Sequence, residues 1–252
     1  MKEQLYTIPL NDAVNANDEC PFCYIERNVE QDLLDYVLGS GSSYMEADMR
    51  AIPDEEGVCW DHFKKMFSYG NTLGNGWILK THYMKIRKDM DREFKSFRPG
   101  KVSLMDRLKK AESSNSLVNW ARETSKSCYI CGQFEKTYKR YLDTFFYLWE
   151  NDPDFAEKVG RSKGFCIPHF GDLCEAADNK LNGNKKDEFY SCVTRLMREN
   201  FDRLQEDVSW LVEKFDYQNQ DADWKNSKDA VQRGMQKLKG GYPADAPYRA
   251  NK

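Results

Sequence analysis

The sequence predicts an all-α protein: a duplicated helical unit, in two pseudo-symmetric halves, each pinned by a Cys3His metal site. Three observations predict it. Apolar residues recur at helical spacing almost throughout, while the alternation expected of strands is scarce. The pattern C-x-x-C followed about 35 residues later by C-x-x-H occurs twice, as Cys20, Cys23, Cys59 and His62 and as Cys128, Cys131, Cys166 and His169. The flanks of the two copies align at an offset of 107 to 108 positions, so a whole unit repeats and not a motif alone.

The elements follow in order. After the first C-x-x-C, Ile25, Val29, Leu33 and Val37 recur every four positions, and Gly39-Ser40-Gly41 ends that helix. Its second copy places Leu142, Phe145 and Phe146 where the first has Leu34, Val37 and Leu38. That copy ends near Asn151, and Asp152-Pro153 reads as the N-cap and first residue of a short further helix. Each C-x-x-H opens another helix, with Phe63, Met66 and Phe67 matching Phe170, Leu173 and Cys174. Two long helices follow. One runs from about Trp77 to Phe97, with Leu79, Tyr83, Ile86, Met90, Phe94 and Phe97 on its apolar face. The other runs from about Lys186 to Phe215 along Phe189, Cys192, Val193, Leu196, Met197, Leu204, Val208, Leu211 and Phe215 itself. Between the halves, a helix is expected around Leu104 to Ala111 before a polar Ser113-Ser114-Asn115-Ser116 break. Ser227 is the expected cap of a last helix ending at Gly240-Gly241, and Pro243 to Lys252 reads as a disordered tail. The expected division is therefore 1–98 and 128–216 for the two repeats, 99–127 for the connection, and 217–252 for the extension.

Composition narrows the function. Net charge is −3, with both signs interspersed, and no basic block argues for nucleic acid. No apolar run approaches the roughly 20 residues that span a bilayer, and Met1 to Leu10 lacks the apolar core of a signal peptide. A cytoplasmic location is expected, where thiols stay reduced and paired cysteines point to metal. No oligomeric state follows from these numbers.

Six of the eight cysteines and two of the three histidines fall in the repeated motif. Two residues between cysteines let both sulfurs turn toward one ion. In C-x-x-H at a helix start, positions i and i+3 share a face. Gly57 and Gly164 each lie two positions before the third cysteine, where the chain must turn tightly. Zinc is the expected ion, two per chain, with an iron–sulfur cluster as the alternative. Four protein ligands leave a mononuclear ion no open position, which favours structure over hydrolysis.

Other residues read as structural. Cys174 and Cys192 fit apolar stripes, and His82 fits a packed or hydrogen-bonded role. Asp61 is a candidate carboxylate behind the first site, although its counterpart is Pro168. Asp221, Asp223 and Asp229 lack calcium-loop spacing, and Gly70, Gly74 and Gly76 lack the residues of a phosphate loop. Tyr217 and Trp224 are expected to pack across the halves or to form a partner surface.

The segment LYTIPLNDAV before CPFC, the segment GFCIPHF, and the closing LQEDVSWLVEKFDYQNQDADWKNSKDAVQRGMQKLKGG resemble a bacterial family of unknown function, found chiefly in clostridia and related anaerobes. Some members carry the label of ABC-transporter substrate-binding proteins, and this sequence shows neither a lipobox nor a two-lobed α/β pattern. The resemblance implies a cytosolic, anaerobic setting and supplies no catalytic residue. The expected function is a metal-stabilised interaction or regulatory module with an unknown protein partner. An iron–sulfur or thiol-based redox or metal sensor is the alternative. An enzyme with a pocket between the halves is the third reading, for which no acid–base or nucleophile set is found.

Overall fold

The computed structural model describes residues 4–39, 47–99 and 115–241. Among them are eleven α-helices and no strand. The helices are α1 (Gln4–Asn15), α2 (Pro21–Leu38), α3 (Ala47–Glu56), α4 (Trp60–Tyr69), α5 (Thr72–Ser96) and α6 (Ser116–Lys126). They continue with α7 (Tyr129–Asn151), α8 (Pro153–Arg161), α9 (Ile167–Lys180), α10 (Gly183–Glu213) and α11 (Ala230–Lys239). The helix expected over Leu104 to Ala111 and the tail from Pro243 lie outside the described residues.

The chain forms two compact units. One is Met1–Val29 with Lys136–Ala246, and the other is built on Glu30–Glu135. This differs from the expected sequential division at 1–98 and 128–216. Helices α2 and α7 each begin in one unit and end in the other, so each carries its C-x-x-C into a different unit from the residues that follow.

The first unit is built around aromatic rings. Phe145 on α7 is fully buried and meets Phe22, Phe146 and Phe155 with ring centroids 5.5, 5.3 and 5.4 Å apart. Edge-on arrangements of this kind place positive ring edges against negative faces. Phe165 and Phe189, also fully buried, extend the cluster, and α10 supplies Val193, Leu196 and Leu204. The expected cap of α8 is present: the Asp152 carboxylate accepts from the backbone N–H groups of Asp154 and Phe155.

Helix α11 inverts the usual polarity. It buries Arg233, Gln236 and Lys237 while Val231, Met235 and Leu238 are about half exposed. The inversion is possible because each buried polar group has a partner. Arg233 donates to Asp207 at 2.9 Å, Gln236 to Asp18 at 2.5 Å, and the Lys237 ammonium to the carbonyls of Glu19 and Lys163 at 2.5 and 2.7 Å. Helix α11 ends at Gly240 as expected, but its N-cap is Asp229. The Ser227 hydroxyl is buried and donates to the Trp224 carbonyl instead.

In the second unit, Leu34, Val37 and Leu38 of α2 pack with Met66, Tyr69, Ile78 and Ile130. Asn71 joins three elements: its side-chain oxygen accepts from Gly74, capping α5, and its amide donates to the Leu38 carbonyl at the end of α2. The expected apolar face of α5 is not the buried one. Ile78 and Asp89 are buried, whereas Tyr83 and Phe94 are exposed. The reason is α3, which packs on α5 and presents polar partners. Thr81 donates to the Asp54 carboxylate and His82 Nδ1 donates to the Asp54 carbonyl at 2.7 Å. His82 is thus the hydrogen-bonded residue expected. Of the stripe shared by the C-x-x-H helices, Met66 and Leu173 are fully buried. Phe67 is exposed, and Cys174, like Cys192, is half-buried.

Candidate metal centres

Both C-x-x-H segments enter their helices in the same way. Gly57 and Gly164 have φ of +70° and +72°, the left-handed region where a side chain is strained. Cys59 and Cys166 then take extended backbone as N-caps of α4 and α9, with nearly equal angles. His62 and His169 follow in the first turn, so thiolates gather where unpaired helix N–H groups offset negative charge.

Among the described residues, two groups bring three sulfurs and one imidazole together, each with ligand atoms within 4.8 Å of one another. They are Cys20, Cys23, Cys166 and His169 in the first unit, and Cys59, His62, Cys128 and Cys131 in the second. The eight residues are those expected, but the partners are exchanged: each C-x-x-C meets the C-x-x-H of the other copy of the motif. The length of α2 gives the reason. His62 lies against Glu30, seven residues past Cys23, or about 10 Å along a helix rising about 1.5 Å per residue. Cys20 and Cys23, at the start of that helix, are out of its reach. Cys128 and Cys131, at the start of α7, are not.

A backbone clip holds them there. The N–H of Tyr129 donates to the Gly57 carbonyl at 2.9 Å, fixing the chain beside Cys128 to the turn before Cys59. The corresponding residue of the other repeat is Pro21, which has no N–H to donate. There the buried Lys237 ammonium bridges the carbonyls of Glu19 and Lys163, on either side of the same junction.

The candidate ligand atoms of each group converge on one point. In the first unit His169 Nδ1 lies 3.3, 3.5 and 3.1 Å from the sulfurs of Cys20, Cys23 and Cys166, and Cys23 and Cys166 are 3.7 Å apart. In the second unit His62 Nδ1 lies 3.3, 3.4 and 3.4 Å from Cys59, Cys128 and Cys131, with Cys59 and Cys131 3.8 Å apart. Both histidines turn Nε2 to a carboxylate, His62 to Glu30 at 3.1 Å and His169 to Glu26 at 3.0 Å. Such a carboxylate fixes the tautomer and orientation of a ligating imidazole. Sequence reasoning missed both. The available signal was that Cys23, Glu26 and Glu30 fall at i, i+3 and i+7, on one face of α2. Asp61, the candidate for this role, is exposed and pairs with Lys64 at 2.6 Å.

Environment separates the two centres. All four ligands in the first unit are buried, with the ring of Phe22 5.8 Å from that of His169. A side chain at Gly240 would meet the Cys166 sulfur at 3.7 Å, so bare backbone lies over this centre. In the second unit Cys131 is exposed and Cys59 half-buried.

Without an ion, protons are divided unevenly among the ligands. Burial disfavours the Cys20 thiolate, but hydrogen bonds from Cys166, Cys23 and His169 hold it well below the usual thiol range. Cys23 is pushed far up by its hydrogen bonds to Cys166 and Cys20. Burial also disfavours the thiolate of Cys128 and the cation of His62. Their mutual hydrogen bond, with others, overrides burial and places them at about 6 and about 10. A cation at the centre would replace several of these protons.

The Lys214 ammonium fills the loop that follows α10, donating to the carbonyls of Asn219, Gln220 and Ala222 and lying 5.1 Å from the Trp224 ring. Asp229 accepts from Arg233, and Tyr217 is exposed. No described helix is long and apolar enough to cross a membrane.

The chain belongs to a family of unknown function, DUF6062, whose match covers residues 1–245. No curated protein and no solved structure matches it.

Proposed function

We propose that this member of DUF6062 is a zinc-stabilised helical scaffold, binding two ions per chain and serving as an interaction or regulatory module in the cytoplasm. The observation that supports it is the spacing of the ligand atoms. Zinc–sulfur and zinc–nitrogen bonds of about 2.3 and 2.0–2.1 Å at tetrahedral angles set sulfur–sulfur edges of about 3.8 Å and sulfur–nitrogen edges of about 3.6 Å. One sulfur–sulfur edge in each group is 3.7 or 3.8 Å, the sulfur–nitrogen distances are 3.1 to 3.5 Å, and all ligand atoms of a group lie within 4.8 Å of one another. An iron–sulfur cluster places several irons and sulfides among its ligands and needs them spread wider. The spacing therefore supports one mononuclear ion per group.

Saturated ligand sets favour a structural role. Each ion ties together segments far apart in sequence, and apparent binding energies of structural zinc reach about 10–16 kcal/mol in small peptides. The outward stripe of Val231, Met235 and Leu238 supports a partner-binding role. The matching geometry at Gly57 and Gly164 supports descent from a duplicated unit whose copies exchanged their C-x-x-C segments. A second reading, a thiol-based sensor, is favoured for the second centre by the exposure of Cys131.

Metal analysis and an absorption spectrum of protein purified without oxygen test the proposal. The expected result is two zinc ions per chain and no visible bands. Iron with acid-labile sulfide and visible charge-transfer bands overturns it.

A further inference from the structure

The first unit holds a cavity of about 460 Å³ lined by Lys163, Arg203, Lys225, Lys228 and Arg233, with Asn226 and Asp229 completing the wall. Five cations face one carboxylate, in a chain whose net charge is −3. We propose that this cavity is a binding site for a small phosphate-bearing anion, independent of the metal centres.

The inner wall is fixed in advance. The Arg233 guanidinium donates to Asp229 and Asp207, each at 2.9 Å, and to the Asn226 carbonyl. Arg203 donates to the buried Glu19 at 2.5 Å and to Asn200 at 3.1 Å. Lys163 donates to the Asn17 carbonyl at 2.8 Å. These contacts hold the cationic groups in place, so little side-chain entropy remains to be lost on binding. They do not neutralise the site. Lys163, Arg203 and Arg233 are the cations that pair with Glu19, Asp207 and Asp229, three charges against three, which leaves the two charges of Lys225 and Lys228. A phosphate group carrying about two negative charges near neutral pH matches them.

The rim adds an independent sign of function. Lys225 has φ of +50°, a conformation that disfavours a long side chain and that glycine or asparagine would adopt more readily. Its ammonium lies 4.0 Å from the Trp210 ring centroid, and Lys228 beside it is exposed. The strained backbone thus sets Lys225 in the lining of the cationic cavity, with its ammonium held against the Trp210 ring. The volume lies within the range of small-ligand pockets, about 300–1,000 Å³. A wall of charged groups selects a polar anion over an apolar molecule.

The test is calorimetric titration of the full-length, metal-loaded chain with inorganic pyrophosphate at low ionic strength. Saturable one-to-one binding is expected. Lys225→Glu with Lys228→Glu should weaken it at least tenfold, with the helical circular dichroism unchanged because both residues are exposed. The control is Lys95→Glu with Lys136→Glu, which alters net charge equally at exposed sites outside the cavity. It should change affinity less than twofold. No binding at millimolar pyrophosphate, or equal weakening in the two double variants, overturns the proposal. Metal content does not enter either outcome, so this result stands apart from the zinc reading.

Discussion

Replacing Gly57 with alanine tests how the turn before the C-x-x-H is built. At φ +70° an L-residue costs about 1–2 kcal/mol relative to glycine. The added Cβ would also lie 2.8 Å from Cε1 and Nε2 of His82, well inside van der Waals contact. That ring cannot simply withdraw, because Nδ1 is held by the Asp54 carbonyl at 2.7 Å. Overpacking of this kind costs about 1–3 kcal/mol, so Gly57→Ala should destabilise by about 2–5 kcal/mol. Gly70 separates the two contributions: its φ is +88° and nothing lies within 4 Å of an added Cβ. Gly70→Ala should therefore cost only the backbone part, about 1–2 kcal/mol. In an His82→Ala background the cost of Gly57→Ala should fall to the same level, a coupling of about 1–3 kcal/mol. Urea unfolding followed by circular dichroism, with slopes compared across variants, reads each value. Equal costs at Gly57 and Gly70, or no relief from His82→Ala, would refute the steric reasoning.

Other outcomes follow from the same geometry. Glu26→Gln and Glu30→Gln should each weaken zinc at the centre they adjoin by about 10–100-fold, or about 1.4–2.8 kcal/mol. Competition with a chromophoric chelator measures this, and a change below twofold at both centres contradicts it. Zinc affinity at the second centre should rise with pH. In the metal-free protein His62 stands at about 10 and Cys131, pushed up by partial desolvation and by its hydrogen bond to Cys128, at about 12, so both hold protons that an ion must displace. At least two released protons give at least about a hundredfold gain per pH unit between about pH 7 and 9. Cys128, at about 6, adds a further proton only in acid, which steepens metal loss there. A pH-independent affinity over that range would contradict the proton assignment. Phe145→Ala should cost about 3–5 kcal/mol in urea unfolding, because it removes the ring that meets Phe22, Phe146 and Phe155. A cost below 1 kcal/mol would place that ring outside the core.

The helices and the candidate ligands were legible because each rests on local chemistry. Ile25, Val29 and Val37 state a helical period, Asp152-Pro153 states a helix start, and Gly57 and Gly164 state left-handed turns. Which sulfurs share an ion is not local. Spacing marks Cys20 and Cys59 as candidate ligands, but the uninterrupted run of α2 past Cys23 decides that they fall in different groups. The buried face of α11 was hidden for a related reason. Arg233, Gln236 and Lys237 can be buried only because Asp207, Asp18 and the Glu19 carbonyl, remote in sequence, supply their partners. The face of α5 was misjudged in the same way, since only the packing of α3 shows that Asp54 awaits Thr81 and His82.

The exchange of ligands is tested most directly by counting metal in two double variants. Cys20→Ser with Cys166→Ser removes two ligands from one centre, whereas Cys20→Ser with Cys59→Ser removes one from each. Zinc per folded chain, measured after challenge with a chelator that leaves the unaltered protein loaded, should fall from two to one in the first variant. In the second it should fall toward zero. The opposite pattern, with the first variant losing both ions and the second retaining one, would restore the sequential pairing and contradict the account.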